Sequence, residues 1–276
     1  MRKSKTSAGK ISVFLIFTLL SVSILLPLLW MILSSLKTDV EFYESPWAFP
    51  ADPKWENYMQ AVRYGVGKYF LNSIMITAAT IILTVLVSSF VAYILSRYSF
   101  RGKGLVILLV IGGMAISPEV NLVALYKIMR NLHLYDSRPG LVFLYSAFRL
   151  SFSILLIRSY MLGLPRAVEE AAYIDGCSAF GVFWHIVLPM SRPILASAAL
   201  LTGMDAWNEY MFAVTFIEAD GRKTIPVGLV SLESTLRTNQ PVLISALVIS
   251  SSVLIILFLL FQKQFIQGLT TGSVKG

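Results

Sequence analysis

Polar and charged side chains interrupt several long apolar stretches of this chain, at Glu119, Asn121, Arg149, Asp205, Asn208 and Glu209. Charged side chains are costly inside a membrane, where they usually face the interior of a helix bundle or a polar pathway. Arg149 therefore needs an anionic partner or a wet cavity, and three acids of this set are available as partners. These residues could have either of two roles. They could hold helices together through polar contacts, or they could contact a transported solute directly.

A second group of residues occupies the stretch 158–192, which is too long for a simple turn. The spacing of Ala167 and Ala171 predicts a short helix, and Gly176 is placed to end it. A second short helix is predicted for 178–188. Two short helices joined at a glycine would make a compact knob, and its small alanine face would let another protein approach closely.

The elements that must position these residues are apolar runs long enough to cross about 30 Å of hydrocarbon. Six such runs are predicted to span a membrane: 11–36, 70–95, 104–128, 139–157, 193–216 and 241–261. Each must be helical, because lipid offers no water to unpaired backbone groups. Pro27 and Pro118 lie inside spans and are predicted to kink them. One transmembrane domain covering 1–276 follows.

Composition supports a membrane protein, since 56% of the 276 residues are hydrophobic and 14% are charged, against about 25% charged in soluble domains. The formal charge of +8 is spread over short segments between apolar runs. This distribution fits anionic lipid headgroups rather than nucleic acid. Cys177 is the single cysteine, which excludes an internal disulfide. His133 and His185 match no ligand spacing, so no metal site is predicted.

Orientation follows from the basic residues at the start of the chain and in the loop after the second run, namely Arg2, Lys3, Lys5, Lys10, Arg97, Arg101 and Lys103. The positive-inside rule places both segments in the cytoplasm. Six spans then return the C-terminus to the cytoplasm, and 158–192 lies there too. The loop 37–69 faces outward. The first apolar run is too long for a cleavable signal peptide and is predicted to remain as an anchor.

The stretch 158–192 resembles the EAA loop of bacterial ABC importer permeases. The motif is carried by Glu170-Ala171-Ala172, by Gly176 after three more residues, and by Ile186-Val187-Leu188-Pro189 after nine more. Further segments resemble the carbohydrate, maltose-like branch of that family: Asn72-Ser73, Leu125-Tyr126, Leu134-Tyr135-Asp136, Trp207-Asn208-Glu209 and the closing residues 268–276.

This resemblance implies an all-α integral membrane permease of a type I ABC importer, with six transmembrane helices and a cytoplasmic EAA coupling helix. It implies a homologous second permease, two ATPase subunits that hold ATP and Mg, and an extracellular solute-binding protein, assembled in the bacterial cytoplasmic membrane. The cargo would be an oligosaccharide or related polyol, moved by alternating access. The residues implied in coupling are Glu169, Glu170, Ala171, Ala172, Asp175, Gly176, Ile186, Leu188 and Pro189.

Other interpretations remain to be weighed. Glu169 and Glu170 could simply favour the positive N-terminus of a helix. An ion-driven secondary transporter would usually show paired broken helices in two repeats, and no internal repeat is evident. An intramembrane enzyme would need a nucleophile with a base, and no such pair is evident. The chain has no Walker A pattern, since 65–69 lacks the glycine spacing and the Ser/Thr. We therefore expect that this polypeptide does not hydrolyse ATP and is not an enzyme.

Overall fold

The computed structural model describes residues 4–236 and 239–273, and every regular element in these ranges is helical. The α-helices described are α1 (Ser4–Ser35), α2 (Asp39–Glu44), α3 (Glu56–Ala61), α4 (Gly67–Arg97), α5 (Lys103–Ala115), α6 (Leu122–Asn131), α7 (Arg138–Leu162), α8 (Arg166–Ile174), α9 (Ala179–Val182), α10 (Leu188–Met190), α11 (Arg192–Asn208), α12 (Met211–Phe216), α13 (Ile225–Thr235) and α14 (Gln240–Ser273). The all-α prediction is confirmed.

Four helical segments of the described residues are long and apolar enough to cross a membrane by themselves: Lys10–Ser35, Glu56–Arg97, Arg138–Leu162 and Gln240–Lys263. Two further spans are obtained if each of two bent helix pairs is counted as one span. Lys103–Ala115 meets Glu119–Asn131 at 90°, and Ala179–Met190 meets Arg192–Asn208 at 76°. The number of spans is therefore four, or up to six as the sequence predicts.

The third predicted span, 104–128, is broken into two helices at the proline where the sequence predicts a kink. The helix α5 ends at Ala115, and Ile116 adopts an extended conformation with φ −82° and ψ 112°. Pro118 explains the interruption, because proline lacks a backbone N–H and disfavours helical geometry in the residue before it. The kink predicted at this proline is thus a full break. By contrast, Pro27 lies inside the unbroken helix α1.

The fifth predicted span, 193–216, is also interrupted. The helix α11 ends at Asn208, Glu209 is extended with φ −67° and ψ 125°, and the chain resumes as the short helix α12. Neither residue of this break is a proline or a glycine. Its physical basis lies in the side chain of Glu209, described with the site below.

The chain divides into two compact units, and the first comprises residues 1–67 and 229–252. Residues 37–67 of the predicted outer loop 37–69 belong to this unit, and they include the buried side chain of Lys37. The Lys37 ammonium donates to the carbonyls of Ser45 and Pro46 at 2.8 and 2.9 Å, and Trp30 donates to Pro46 at 3.0 Å. Side-chain donors thus satisfy two backbone carbonyls of this loop, and the buried ammonium of Lys37 has the acceptors that burial requires.

The second unit comprises residues 68–228 and 253–276 and contains two hydrophobic clusters. One lies around Leu141, Tyr145 and Phe216, and the other around Ile157 and Val182. Between α4 and α11 the approach is close, because a Cβ at Gly203 would lie 2.9 Å from Ile81 Cδ1. Small residues at such crossings are typical of helix packing in membranes.

Side chains of α4 hold the loop that follows α12. The Asn72 amide donates to the carbonyls of Gly221 and Lys223 at 3.0 and 2.9 Å. The Ser73 hydroxyl accepts from the backbone N–H of Ile225 at 2.8 Å. Asn72-Ser73, one of the segments that resembles the carbohydrate branch, therefore fixes the path of a distant loop.

Asp136 holds the same loop from the other side. Its Oδ1 accepts the backbone N–H groups of Glu218 and Ala219, each at 3.0 Å, and its Oδ2 pairs with Arg222 at 2.6 Å. Asp136 has a φ of 47°, a left-handed conformation that aspartate tolerates better than most residues. The segment Leu134-Tyr135-Asp136 is thus also a structural anchor.

Candidate functional site

The EAA-like stretch folds as a helical hairpin in the second unit. Its first helix is α8, and Gly176 follows with a φ of 86°, a conformation that glycine adopts without steric cost. The second helix begins at Ala179 and continues through a π-helical turn, Phe183–Val187, to Met190. The predicted helix–glycine–helix arrangement is confirmed, although the second helix passes Pro189 instead of ending there.

The two faces of α8 differ sharply in exposure. Glu169 and Ala172, three residues apart, are each 6% exposed. Glu170 and Ala171 are exposed, and Ile174 is 86% exposed. Since side chains three and four residues apart share a helix face, α8 has one packed side and one free side. An exposed isoleucine beside alanines and a carboxylate forms a small, partly apolar surface.

The two adjacent glutamates of α8 have different environments. Glu169 forms an ion pair with Arg97, the last residue of α4, with Oε1 2.7 Å from Nε and 2.6 Å from Nη2. Their side chains are 8% and 7% exposed. Arg97 Nη2 also donates to the Leu164 carbonyl at 3.3 Å. Glu169 is therefore occupied inside the chain, whereas Glu170 is exposed.

The remaining residues implied in coupling divide in the same way. Asp175 and Gly176 are exposed at the turn of the hairpin. Ile186 and Leu188 are partly buried against the cluster around Val182, and Pro189 is partly buried as well. Ile186 and Leu188 thus pack the hairpin against a cluster that includes residues of the helices α4 and α7.

A cavity of about 570 Å³ lies elsewhere in the second unit, and its volume is in the usual range for small-molecule sites. It is lined by Gly113, Met114, Ile116, Pro118, Glu119, Tyr145, Phe148, Arg149, Asp205, Ala206, Glu209, Tyr210, Met211 and Phe212. The cavity thus gathers four of the six polar residues singled out in the sequence.

The two asparagines of that set do not line the cavity. Asn121 donates to the carbonyl of Ser117 at 3.0 Å, and Asn208 donates to the carbonyl of Met204 at 2.9 Å. Both bonds are local, across one turn. The asparagines therefore make local bonds and do not line the cavity with the charged residues of the set.

Arg149 and Asp205 form an ion pair at the wall of the cavity. The Arg149 guanidinium carbon also lies 5.5 Å from the centroid of the Phe152 ring, a distance typical of cation–π attraction. Buried Nε of Arg149 has no hydrogen-bond partner among the described residues. Arg149 thus has the anionic partner that the sequence expects, and it also lines a cavity.

Glu209 lines the cavity and caps a helix. Its carboxylate accepts the N–H groups of Phe212 and Ala213 at 2.6 and 3.1 Å. These are orphan donors in the first turn of α12, and a negative charge is favourable at that end of a helix. The cap explains why the fifth predicted span can break here without proline or glycine.

Sequence reasoning missed the aromatic part of the cavity wall and the partner of Glu169. Tyr145 and Phe148 are one helical turn apart on α7, and Tyr145 and Arg149 are four apart, so the spacing placed them on one face. Their aromatic character alone indicated only packing. Arg97 had no comparable signal, because 72 residues separate it from Glu169.

Comparisons with known proteins agree with this architecture. A family profile described as "Binding-protein-dependent transport system inner membrane component" matches residues 104–271. The probable ABC transporter permease protein YurM of Bacillus subtilis is 44% identical, over 99% of this chain and 91% of that protein. The arabinooligosaccharides transport system permease protein AraQ of the same organism is 34% identical, over 98% and 97%.

The fold also matches a solved structure, that of a bacterial ABC transporter involved in the import of the acidic polysaccharide alginate. The TM-score is 0.81, with 21% identity over 96% of this chain and 99% of that one. None of these matches supports an ion-driven secondary transporter. With its several apolar helices, the protein is a multi-pass membrane protein. The chain belongs to the family of binding-protein-dependent transport system inner membrane components.

Proposed function

We propose that this chain is a permease subunit of an ATP-driven sugar importer, and that the free side of α8 docks on a separate ATPase subunit. The observation that carries the proposal is the difference in burial between the two sides of α8. Glu169 is buried and paired internally, while Glu170, Ala171 and the 86%-exposed Ile174 face outward. The hairpin packs against its own chain on one side, and its other side is exposed. Such an exposed surface is suited to binding a protein partner.

The docking chemistry follows from the exposed residues. Glu170 would pair with a basic residue of the ATPase, since a carboxylate forms its strongest hydrogen bonds with Arg or Lys. Ala167 and Ala171 would allow close approach, and Ile174 would add apolar contact. ATP and Mg would be bound by the ATPase subunits, and this chain would have no catalytic group.

The proposed assembly contains a homologous second permease, two ATPase subunits and an extracellular solute-binding protein. The family description supports the binding protein. The apolar segment of α1 that could span a membrane is 0% buried. This helix is therefore available to contact lipid or the second permease. We place the N- and C-termini and the α8–α9 hairpin in the cytoplasm of a bacterial plasma membrane, with 37–69 outside.

The cargo that the cavity favours is a hydroxylated solute, an oligosaccharide or related polyol. Arg149 and Asp205 offer donors and acceptors, and Tyr145 and Phe148 offer aromatic surface at the same wall. Mostly apolar walls with a few polar groups that fix orientation are typical of small-molecule sites. The name of AraQ, an arabinooligosaccharides transport system permease, agrees with this choice of cargo.

The docking proposal is tested by Glu170→Lys, which reverses the exposed charge and keeps both residues of the buried Arg97–Glu169 pair. We expect the variant to insert in the membrane normally, to lose most of its associated ATPase subunit on purification, and to lose transport. Glu170→Gln is the matched control, because it keeps the size of the side chain and should show a smaller loss. Normal transport by Glu170→Lys in an intact complex would show that docking does not depend on this surface.

A further inference from the structure

We propose that Arg97 and Glu169 are a positioning pair that transmits movement from α8 to the membrane helix α4. The inference rests on the proposed docking of α8 on an ATPase, and it assigns a separate task to the buried side of the same helix. The pair would act after docking, so it contributes to coupling and not to recognition of the ATPase.

The first observation is the geometry of the pair. Two donors of the Arg97 guanidinium, Nε and Nη2, converge on Oε1 of Glu169 at 2.7 and 2.6 Å. Both side chains are less than a tenth exposed. An apolar contact is non-directional and lets surfaces slide, whereas charge-assisted hydrogen bonds fix distance and direction. The pair therefore constrains α8 against sliding along the end of α4.

The second observation is that the same arginine also holds the chain that leads into α8. Arg97 Nη2 donates to the Leu164 carbonyl at 3.3 Å, two residues before the helix begins. Arg97 is itself the last residue of α4, where a positive charge interacts favourably with the helix dipole. One guanidinium thus joins the end of α4, the entry to α8 and the first turns of α8.

The third observation is a second tie farther along α8. The Tyr173 hydroxyl lies 3.4 Å from that of Tyr93 and 3.3 Å from that of Tyr98. Tyr93 belongs to α4, and Tyr98 directly follows Arg97. Since Glu169 and Tyr173 are four residues apart, α8 is attached to the end of α4 at two successive turns. Two attachment points resist rotation of α8 as well as translation.

The experiment compares Arg97→Met, Glu169→Gln and the exchange Arg97→Glu/Glu169→Arg in the complex with its ATPase, reconstituted in liposomes. For the two single variants we expect normal recovery of the ATPase subunit and continued ATP hydrolysis, with transport reduced about tenfold, a size typical of coupling between sites. The exchange restores the pair with its charges reversed and should recover part of the transport. Arg101→Met is the matched control, since Arg101 is exposed four residues beyond Arg97 and should transport normally.

Three results would overturn the inference. Normal transport by Arg97→Met would show that the pair carries no movement. Joint loss of the ATPase subunit and of transport would show that the pair only shapes the docking surface. No recovery in the exchange variant, given a folded complex by size-exclusion chromatography, would show that the charges do not act as a pair. Recovery of the ATPase subunit distinguishes the two proposals. If docking fails, as expected for Glu170→Lys, the ATPase subunit is lost, whereas if transmission fails it stays bound.

Discussion

The Arg149–Asp205 ion pair allows the most quantitative prediction for the cavity. Arg149 lies eleven residues after Arg138, the first residue of α7, which is about 16 Å along the helix at about 1.5 Å per residue. It therefore sits near the middle of the span. An unpaired arginine that faces lipid at that depth costs about 2.5–3.5 kcal/mol on insertion scales. Arg149 lines a cavity, which lowers this cost, but Asp205 should still matter for stability.

The magnitude depends on which partner is removed. Removing one partner of a fully buried pair costs about 3–5 kcal/mol, whereas exposed pairs contribute about 0–1 kcal/mol. The side chain of Arg149 is 28% exposed and that of Asp205 is 51% exposed. We therefore expect Asp205→Asn to destabilise by about 1–2 kcal/mol, between these limits. Arg149→Gln should cost less than about 1 kcal/mol, because the remaining carboxylate is half exposed to the cavity.

The first assay is thermal unfolding of the purified complex in nanodiscs. At about 2–4 °C per kcal/mol for a chain of this size, Asp205→Asn should lower Tm by about 2–8 °C. The double variant Arg149→Gln/Asp205→Asn should regain most of this loss, because it leaves no uncompensated charge. Glu119→Gln is the control, since Glu119 lines the same cavity but accepts a local hydrogen bond from nearby Ser117 and forms no ion pair among the described residues. If the double variant lost as much Tm as the two single variants together, the ion pair would not be stabilising.

The second assay is transport of the sugar by the same variants. If the ion pair also contacts cargo, the double variant should be stable and yet show a KM raised about tenfold, the loss expected for one hydrogen bond to a charged group. An unchanged KM in the double variant would refute the cavity contact and leave the pair a purely structural role.

Two further predictions concern orientation and the loop after α12. In a Cys177→Ser background, single cysteines at Asp52 and Asp220 should react with an impermeant thiol reagent from outside, and cysteines at Arg101 and Ala167 only after the membrane is opened; the opposite pattern would invert the proposed orientation. Asn72→Ala should cost about 1–3 kcal/mol, because it removes two hydrogen bonds to that loop, each worth about 0.5–1.5 kcal/mol, and limited proteolysis should then cut the loop faster. Asn208→Ala, which loses only a bond within its own helix, should be cut at the original rate, and equal behaviour of the two variants would refute the role of Asn72.

Much of the fold could be predicted from the sequence because the relevant signals are local. Long apolar runs determine where helices can cross lipid, and α1, α7 and α14 lie where those runs predict. The alanine spacing and Gly176 predict the hairpin for the same reason, since a helix and its C-terminal glycine are set by neighbouring residues. Even the proline rule located one break, at Pro118, although it did not indicate a 90° bend.

The contacts that give residues their roles could not be predicted in this way. Glu169 and Glu170 are adjacent and chemically identical, but Glu169 is buried in an ion pair with Arg97, 72 residues away, whereas Glu170 is exposed. Asp136 likewise meets Glu218 and Ala219 across more than eighty residues. Such pairings depend on tertiary packing, and a single sequence carries no periodic trace of them.

The two helix breaks and the cavity have a common physical origin. Ile116 and Pro118 at one break and Glu209 and Tyr210 at the other all line the same cavity. In lipid an unpaired backbone group costs several kcal/mol, so irregular backbone persists only inside protein or beside a water-filled space.

Polar side chains at the two breaks replace part of the lost helical bonding. Glu209 accepts two N–H groups of the helix that resumes, and Asn121 donates to the carbonyl of Ser117. Two polar residues for which the sequence left open a structural role or a solute contact thus make the interruptions possible. A polar residue inside an apolar run therefore indicates where a span can open as well as where a solute can bind, and in this chain the opening is what creates the cavity.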